Sequence, residues 1–245
     1  MLRIDLNCDL GEAAGHDAGL MPLVTSANIA CGAHAGDAAT MRATAELALR
    51  HGVAIGAHPG YADRENFGRR ELNLAPVEAG ELVRSQINSL RCLAPVRHVK
   101  LHGALYNQAA RDPALAEAVA AAVVAVDPSL VLFVLPGSAL ARAAVARGLR
   151  TADEVFADRT YQRYGSLTPR SRPDALIHDE NAAVAQVLRM IRDGVVRATD
   201  GTDVPIRADT VCVHGDGPNP VAFARRLRAA LREAGIEVRA FAPAP

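Results

Sequence analysis

Short apolar runs and amphipathic stretches alternate along most of this 245-residue chain. The runs Ile4–Leu10, Ala27–Cys31, Val53–Ala57, Val96–Leu101, Leu130–Leu135 and Thr210–Val213 have the length and composition of strands. Helix signals lie between them. Asp37 precedes a segment that stops at Gly52, and Asp112-Pro113 sets a cap before proline at the first helical position. Ser138, Asp179 and Asn219-Pro220 open segments that close at Gly148, Gly194 and Gly235. Ala75-Pro76 opens one carrying Leu82, Val83, Ile87 and Leu90 at helical spacing. Strands alternating with helices predict βαβ units and a parallel sheet. The stretches 158–174 and 200–209 read as long loops or a small hairpin.

The phase of the polar residues separates a closed barrel from an open sheet. In the first strand Arg3, Asp5, Asn7 and Asp9 share one face, and Ile4, Leu6, Cys8 and Leu10 share the other. His98, Lys100 and His102 alternate in the same way with Val99 and Leu101. A strand covered by helices on both sides has no place for such a charged face. A barrel with a polar interior and apolar residues turned outward accommodates both patterns, so the expected fold is an α/β (β/α) barrel, with residues 1–245 as one domain.

Composition narrows the partners. With 27 basic and 27 acidic side chains the formal net charge is zero, which gives no electrostatic reason to expect nucleic acid or an anionic membrane. The apolar stretch from Val119 to Leu135 is broken by Asp127 and Pro128, so no membrane span is expected. Strand-like residues begin at Leu2, leaving no room for a signal peptide. Together with four scattered cysteines this points to the cytoplasm.

The chemistry collects where the strands end, at the rim where barrel active sites assemble. Asn7-Cys8-Asp9-Leu10-Gly11-Glu12 ends the first, and Cys31-Gly32-Ala33-His34 the second. Ala57-His58-Pro59-Gly60, Lys100-Leu101-His102-Gly103 and Val213-His214-Gly215-Asp216 follow. His34, His58, His102 and His214 thus occupy corresponding positions, whereas His16, His51, His98 and His178 read as surface or supporting residues. Asp5, Asp9, Glu12, Asp37 and Asp216 are candidate acids, bases or cation ligands, although helix capping alone accounts for Asp37. Cys8 and Cys31 keep the apolar phase and read as small buried hydrophobes. Lys100 is the only lysine among the 27 basic residues, which suggests a position that a guanidinium does not serve. No phosphate-binding glycine loop, dinucleotide fingerprint or serine elbow is present.

Taken together, the segments Asp5–Glu12, Thr25–Asp37, Gly52–Tyr61, Phe67–Arg70, His102–Asn107, Glu154–Tyr161, Ser166–Arg170 and Val213–Pro218 resemble the LamB/YcsF family of A subunits of bacterial, ATP-dependent 5-oxoprolinases. Departures are small: the family usually has proline where Leu101 stands and a bulkier residue where Ala33 stands. The resemblance implies a distorted barrel of roughly seven strands, in a superfamily with metal-dependent carbohydrate deacetylases. It also implies ATP-coupled opening of 5-oxo-L-proline to L-glutamate with partner subunits B and C. The partners would handle ATP, which fits the missing nucleotide motif.

On that reading Asp9 or His58 orients water, Lys100 or Arg159 holds a carboxylate or phosphate, and His102 and His214 donate protons or hydrogen bonds. Asp5, Asn7, Glu12, Asn28, His34 and Asp216 are the further substrate contacts. The expectation is catalysis without a tightly held transition metal. A nearby lysine would repel a dication, and if one is held, superfamily analogy nominates Asp9, His58 and His102. A mouth-facing Lys100 also implies that Lys100→Arg spares folding. The alternatives are a stand-alone metal-dependent amidase or deacetylase, and a non-enzymatic regulatory barrel.

Overall fold

A computed structural model describes residues 2–215 and 219–241; the candidate Asp216 lies outside the described residues. In chain order the elements are β1 (Arg3–Leu10), α1 (Asp17–Leu20), β2 (Ser26–Ala30), α2 (Ala38–His51), β3 (Ala54–His58), α3 (Pro76–Arg91) and β4 (His98–Lys100). Next come α4 (Gly103–Arg111), α5 (Pro113–Val126), β5 (Val131–Val134), α6 (Ala139–Ala146) and β6 (Arg150–Phe156). The chain continues through α7 (Glu180–Asp193), β7 (Val195–Arg197), β8 (Asp203–Pro205), β9 (Thr210–Val213), α8 (Pro220–Glu233) and β10 (Glu237–Val238).

Strands β1 to β6 pair in sequence order, β9 pairs with β6, and β9 returns to β1, all in parallel. The result is a closed seven-stranded barrel. Its irregularity has a definite place: between β6 and β9 the chain inserts a long loop, α7 and the antiparallel β7–β8 hairpin. The short β10 pairs with the start of β1.

The helices start and stop for the reasons the sequence offered. Asp37, Asp112, Ser138 and Asp179 each accept a backbone N–H in the first turn of α2, α5, α6 and α7. Gly52 and Gly194 close α2 and α7 in the left-handed conformation that a Cβ disfavours. Asn219 and Pro220 open α8 as expected, with no side-chain cap bond from Asn219. Besides the short α1 and β10, two longer elements are additions to the sequence reading. Helix α4 follows His102 directly, and β6 carries the sequence RTADEVF, too mixed in polarity to show a strand period.

Phase assigns the core. Leu6, Cys8, Ile29, Ile55, Val99, Leu132 and Val155 point outward and are fully buried beneath the helices. Each contributes about 1.5–3 kcal/mol by burial if a large aliphatic residue. The inward residues are mostly polar. Asp5 takes hydrogen bonds from Thr25, Ser26 and Thr210, and Asn7 and Asn28 bond to each other. His98 donates through Nε2 to Asn28 Oδ1 and stacks on Phe133. Gly56 of β3 makes that possible, because any Cβ there would overlap the His98 ring. Strand β4 thus crosses the barrel at a height where its histidine and lysine reach β1 and β2.

Candidate active site at the barrel mouth

The interior polar column ends in an ion cluster around Lys100. Its ammonium donates to Asp9 Oδ1 at 2.7 Å and to Asn7 Oδ1 at 3.3 Å, and it lies 3.0 Å from both Glu154 Oε1 and Cys212 Sγ. Burial opposes charging this lysine, but Asp9 and the other acidic neighbours more than offset it, so its pKa stands well above the usual lysine value. Burial likewise opposes Asp9 ionisation, and His58 and Lys100 override it, holding the carboxyl well below its ordinary range. Lys100 is therefore a fixed cation and Asp9 a fixed anion.

On the other side of Asp9 four groups converge from β1, β2, β3 and β4. Asp9 Oδ2 is 3.3 Å from His58 Nε2, and Glu12 Oε1 lies 3.1 Å from His34 Nε2, 3.3 Å from His102 Nδ1 and 3.7 Å from His58 Nε2. The His34 and His102 rings stack at 3.8 Å. Two glycines leave the space for that stack. A Cβ at Gly60 would come within 2.8 Å of His34 Nδ1, and one at Gly68 within 2.8 Å of His34 Cβ. The remaining nitrogens are anchored to backbone. His58 Nδ1 meets Lys100 O at 2.8 Å, and His102 Nε2 meets Phe67 O at 2.8 Å. Phe67 itself is held at φ +53°, an uncommon conformation for a bulky residue and one that aims its turn at the site. Burial depresses His34 to about 4 and lowers His102, whereas for His58 the Asp9 carboxylate outweighs burial and raises it.

The far wall comes from β6, β9 and the loop between them. His214 Nδ1 bonds to both oxygens of Asp158, at 2.7 and 2.9 Å, and its Nε2 receives Arg170 Nη2 at 3.2 Å. Arg159 is 4 % exposed and donates to the Thr168 and Ala175 carbonyls, which tie down the loop after β6. Burial lowers its pKa to about 10, so the guanidinium stays charged. These groups surround a small polar cleft of about 50 Å³. Asp9, Glu12, His58, Lys100, His102, Arg159 and His214 all line it.

The remaining candidates sit elsewhere. His34 lies behind His102, and Asn7 and Asn28 lie beneath Asp9, where Asn28 Nδ2 donates to Asp9 Oδ1 at 2.8 Å. Asp5 is a full layer lower, bonded to three hydroxyls, and the structure does not bring it to the cleft. The expectation that Lys100→Arg spares folding also needs correction: Lys100 is 2 % exposed with its ammonium enclosed, not projecting into solvent. Glu154, Cys212, Tyr106, Phe156, Asp158, Arg69 and Arg170 were not singled out from sequence. Phase would have found Cys212, two residues past Thr210 on the inward face of β9, while Glu154 is hidden in the mixed pattern of β6.

Among the described residues, two sets of side chains offer ligand atoms close enough for a cation. Asp9, Cys212 and His214 form one, but Lys100 Nζ already bonds to Asp9 and Cys212 there. Glu12, His34, His58 and His102 form the other.

A closed parallel barrel with acids, imidazoles and one lysine at the carboxyl ends of its strands belongs to the class of α/β barrels built around an enzyme-type mouth. The sequence profile of the LamB/YcsF family matches residues 4–244, and the chain belongs to that family. It is 53 % identical over 250 residues to a Brevibacillus brevis protein named as the A subunit of 5-oxoprolinase, covering 98 % of each chain. A Geobacillus kaustophilus protein of the same name is 57 % identical over 249 residues, covering 98 % of this chain and 97 % of the relative. The solved lactam utilization protein of Thermus thermophilus superposes with a TM-score of 0.92 at 47 % identity, covering 98 % of this chain and all of the other.

Proposed function

We propose that this chain is the A subunit of a 5-oxoprolinase, a hydrolase that opens the lactam of 5-oxo-L-proline to give L-glutamate. The observation that carries the reading is full-length identity above half to proteins bearing that name. The cleft supplies suitable chemistry. A five-membered lactam resists hydrolysis because its product recloses, so the reaction needs coupling to ATP. Phosphorylation of the amide oxygen converts it into a leaving group. Water then adds to the ring carbonyl carbon, the C–N bond breaks onto a protonated nitrogen, and a second water releases phosphate from the acyl phosphate.

On this reading Asp9 and His58 orient the attacking water. His102 and His214 supply protons or hydrogen bonds, and Lys100 with Arg159 adds fixed positive charge for an oxyanion. The relatives' names, each denoting one subunit of an enzyme, support an assembly of several chains, and on this reading partner subunits B and C handle ATP. The absence of a nucleotide-binding motif from this sequence agrees with that division.

The test is glutamate release from 5-oxoproline, with ATP hydrolysis measured in parallel. The chain alone is expected to do neither at a useful rate, and adding subunits B and C restores both in coupled fashion. Robust lactam opening by this chain without ATP or partners would make it a stand-alone amidase and overturn the reading.

A further inference from the structure

We propose that Glu12, His34, His58 and His102 form a binding site for one divalent transition-metal ion of the zinc class. The argument begins with lone pairs. His58 directs Nδ1 to the Lys100 carbonyl and His102 directs Nε2 to the Phe67 carbonyl, both at 2.8 Å. A carbonyl only accepts, so each ring carries its proton on that nitrogen. This leaves His58 Nε2 and His102 Nδ1 as acceptors facing each other at 3.0 Å, with Glu12 Oε1, a third acceptor, 3.7 and 3.3 Å away. With both rings neutral these lone pairs converge on one point, where only His34 Nε2, 3.1 Å from Glu12 Oε1, could donate a proton, and a cation held among them satisfies all of them at once. A backbone carbonyl on the rear nitrogen is also the arrangement that orients metal-bound histidines.

The spacing fits an ion. A point equidistant from those three atoms lies about 1.95 Å from each, against ~2.0–2.2 Å for zinc bonds to nitrogen and carboxylate oxygen, so the ion sits slightly out of their plane. His34 Nε2, 3.1 Å from Glu12 Oε1, supplies a fourth donor, and all four atoms fall within 4.8 Å of one another. Three imidazoles and one carboxylate favour zinc, cobalt or iron(II) over magnesium or calcium.

Charge agrees as well. Glu12 lies among His34, His58 and His102 with Asp9 as the neighbouring acid, so a dication held there sits beside two carboxyl groups. Lys100 does not repel an ion here, because Asp9 stands between: Oδ1 binds the ammonium and Oδ2 faces His58. Asp9, nominated by superfamily analogy, is thus occupied by the lysine, and Glu12 with His34 takes its place. Only the metal's use, to polarise a carbonyl or activate water, rests on the proposed lactam chemistry.

The experiment strips the full-length chain with chelator and titrates it with Co(II), then displaces cobalt with Zn(II). One equivalent of cobalt is expected to bind with the intense visible bands of a low-coordinate site, and paramagnetically shifted imidazole N–H signals identify histidine ligands without mutation. Glu12→Gln and His102→Gln should each weaken binding by about a hundredfold or more, exceeding the ~10–100-fold loss typical of supporting residues. His51→Gln, on the exposed end of α2, should leave the titration unchanged. Substoichiometric cobalt binding by the unmodified chain overturns the proposal, and so does binding that survives both ligand substitutions. Because the titration needs neither substrate nor partners, its failure is distinguishable from failure of glutamate release.

Discussion

The ammonium of Lys100 donates to Asp9 Oδ1 at 2.7 Å within the barrel, where only 2 % of the lysine is exposed. Asp9 reaches the pair from the inward phase of β1, and Lys100 reaches it from the inward phase of β4. Glu154 and Cys212 close the other sides of the ammonium, and the pair meets the cleft only on its mouth side.

Two substitutions at Lys100 separate charge from shape. Lys100→Met leaves Asp9 and Glu154 buried without a countercharge and is expected to cost about 3–5 kcal/mol of stability in denaturant unfolding. Lys100→Arg keeps the charge but forces a wider planar fork into a filled space, costing ~1–3 kcal/mol by overpacking. Partner-dependent glutamate formation should fall at least tenfold, roughly 1.4 kcal/mol of transition-state stabilisation. Arg84→Lys on the exposed face of α3 is the reverse control and should change nothing. Full activity with unchanged substrate affinity in Lys100→Arg would mean that the lone lysine carries no chemistry.

Asp158 fixes the orientation of His214. Burial raises the Asp158 pKa, but His214 outweighs it and leaves the carboxyl below its ordinary value. With Nδ1 bonded to the carboxylate, Nε2 faces Arg170 and the cleft. Asp158→Asn removes the charge that holds this orientation. We expect kcat to drop about tenfold, roughly 1.4 kcal/mol, with KM nearly unchanged and the circular dichroism spectrum retained. A normal kcat would reduce the pair to a loop tether.

Asp5 predicts a pH dependence of folding. Burial raises its pKa from 3.8 to about 6, even though Thr210, Thr25 and Ser26 donate to it. The folded chain therefore holds a proton between those values that the unfolded chain releases. The protonated carboxyl contributes its stability below about pH 4, and that contribution is lost as pH rises to about 6. The amount is on the order of 3 kcal/mol. In urea unfolding between about pH 4.5 and 7.5, the stability of the parent minus that of Asp5→Asn should decline towards about pH 6 and then level off. Parallel curves for the two chains would refute the assignment.

Much of this molecule was already decided along the chain. Caps and stops at Asp37, Gly52, Asp112, Asp179 and Gly194 act over one helical turn, so local sequence suffices to place them. The period-two alternation of β1 and of 98–102 fixed which side chains face inward, because a strand cannot turn one residue without turning its neighbours. That marked Asp9, Lys100 and His102 as mouth residues and separated Cys8 from them. Tertiary structure alone decided the distances across the barrel. Strand order and closure bring β9 and β6 against Lys100, which is how Cys212 and Glu154 join it from 112 and 54 positions away. They also bring Glu12, His34, His58 and His102 together around one point, and leave Asp5, on the same face of the same strand as Asp9, a layer beneath the cleft. Phase tells which face a residue takes; height along the axis and the neighbour across the barrel depend on register and closure, which are properties of all seven strands at once.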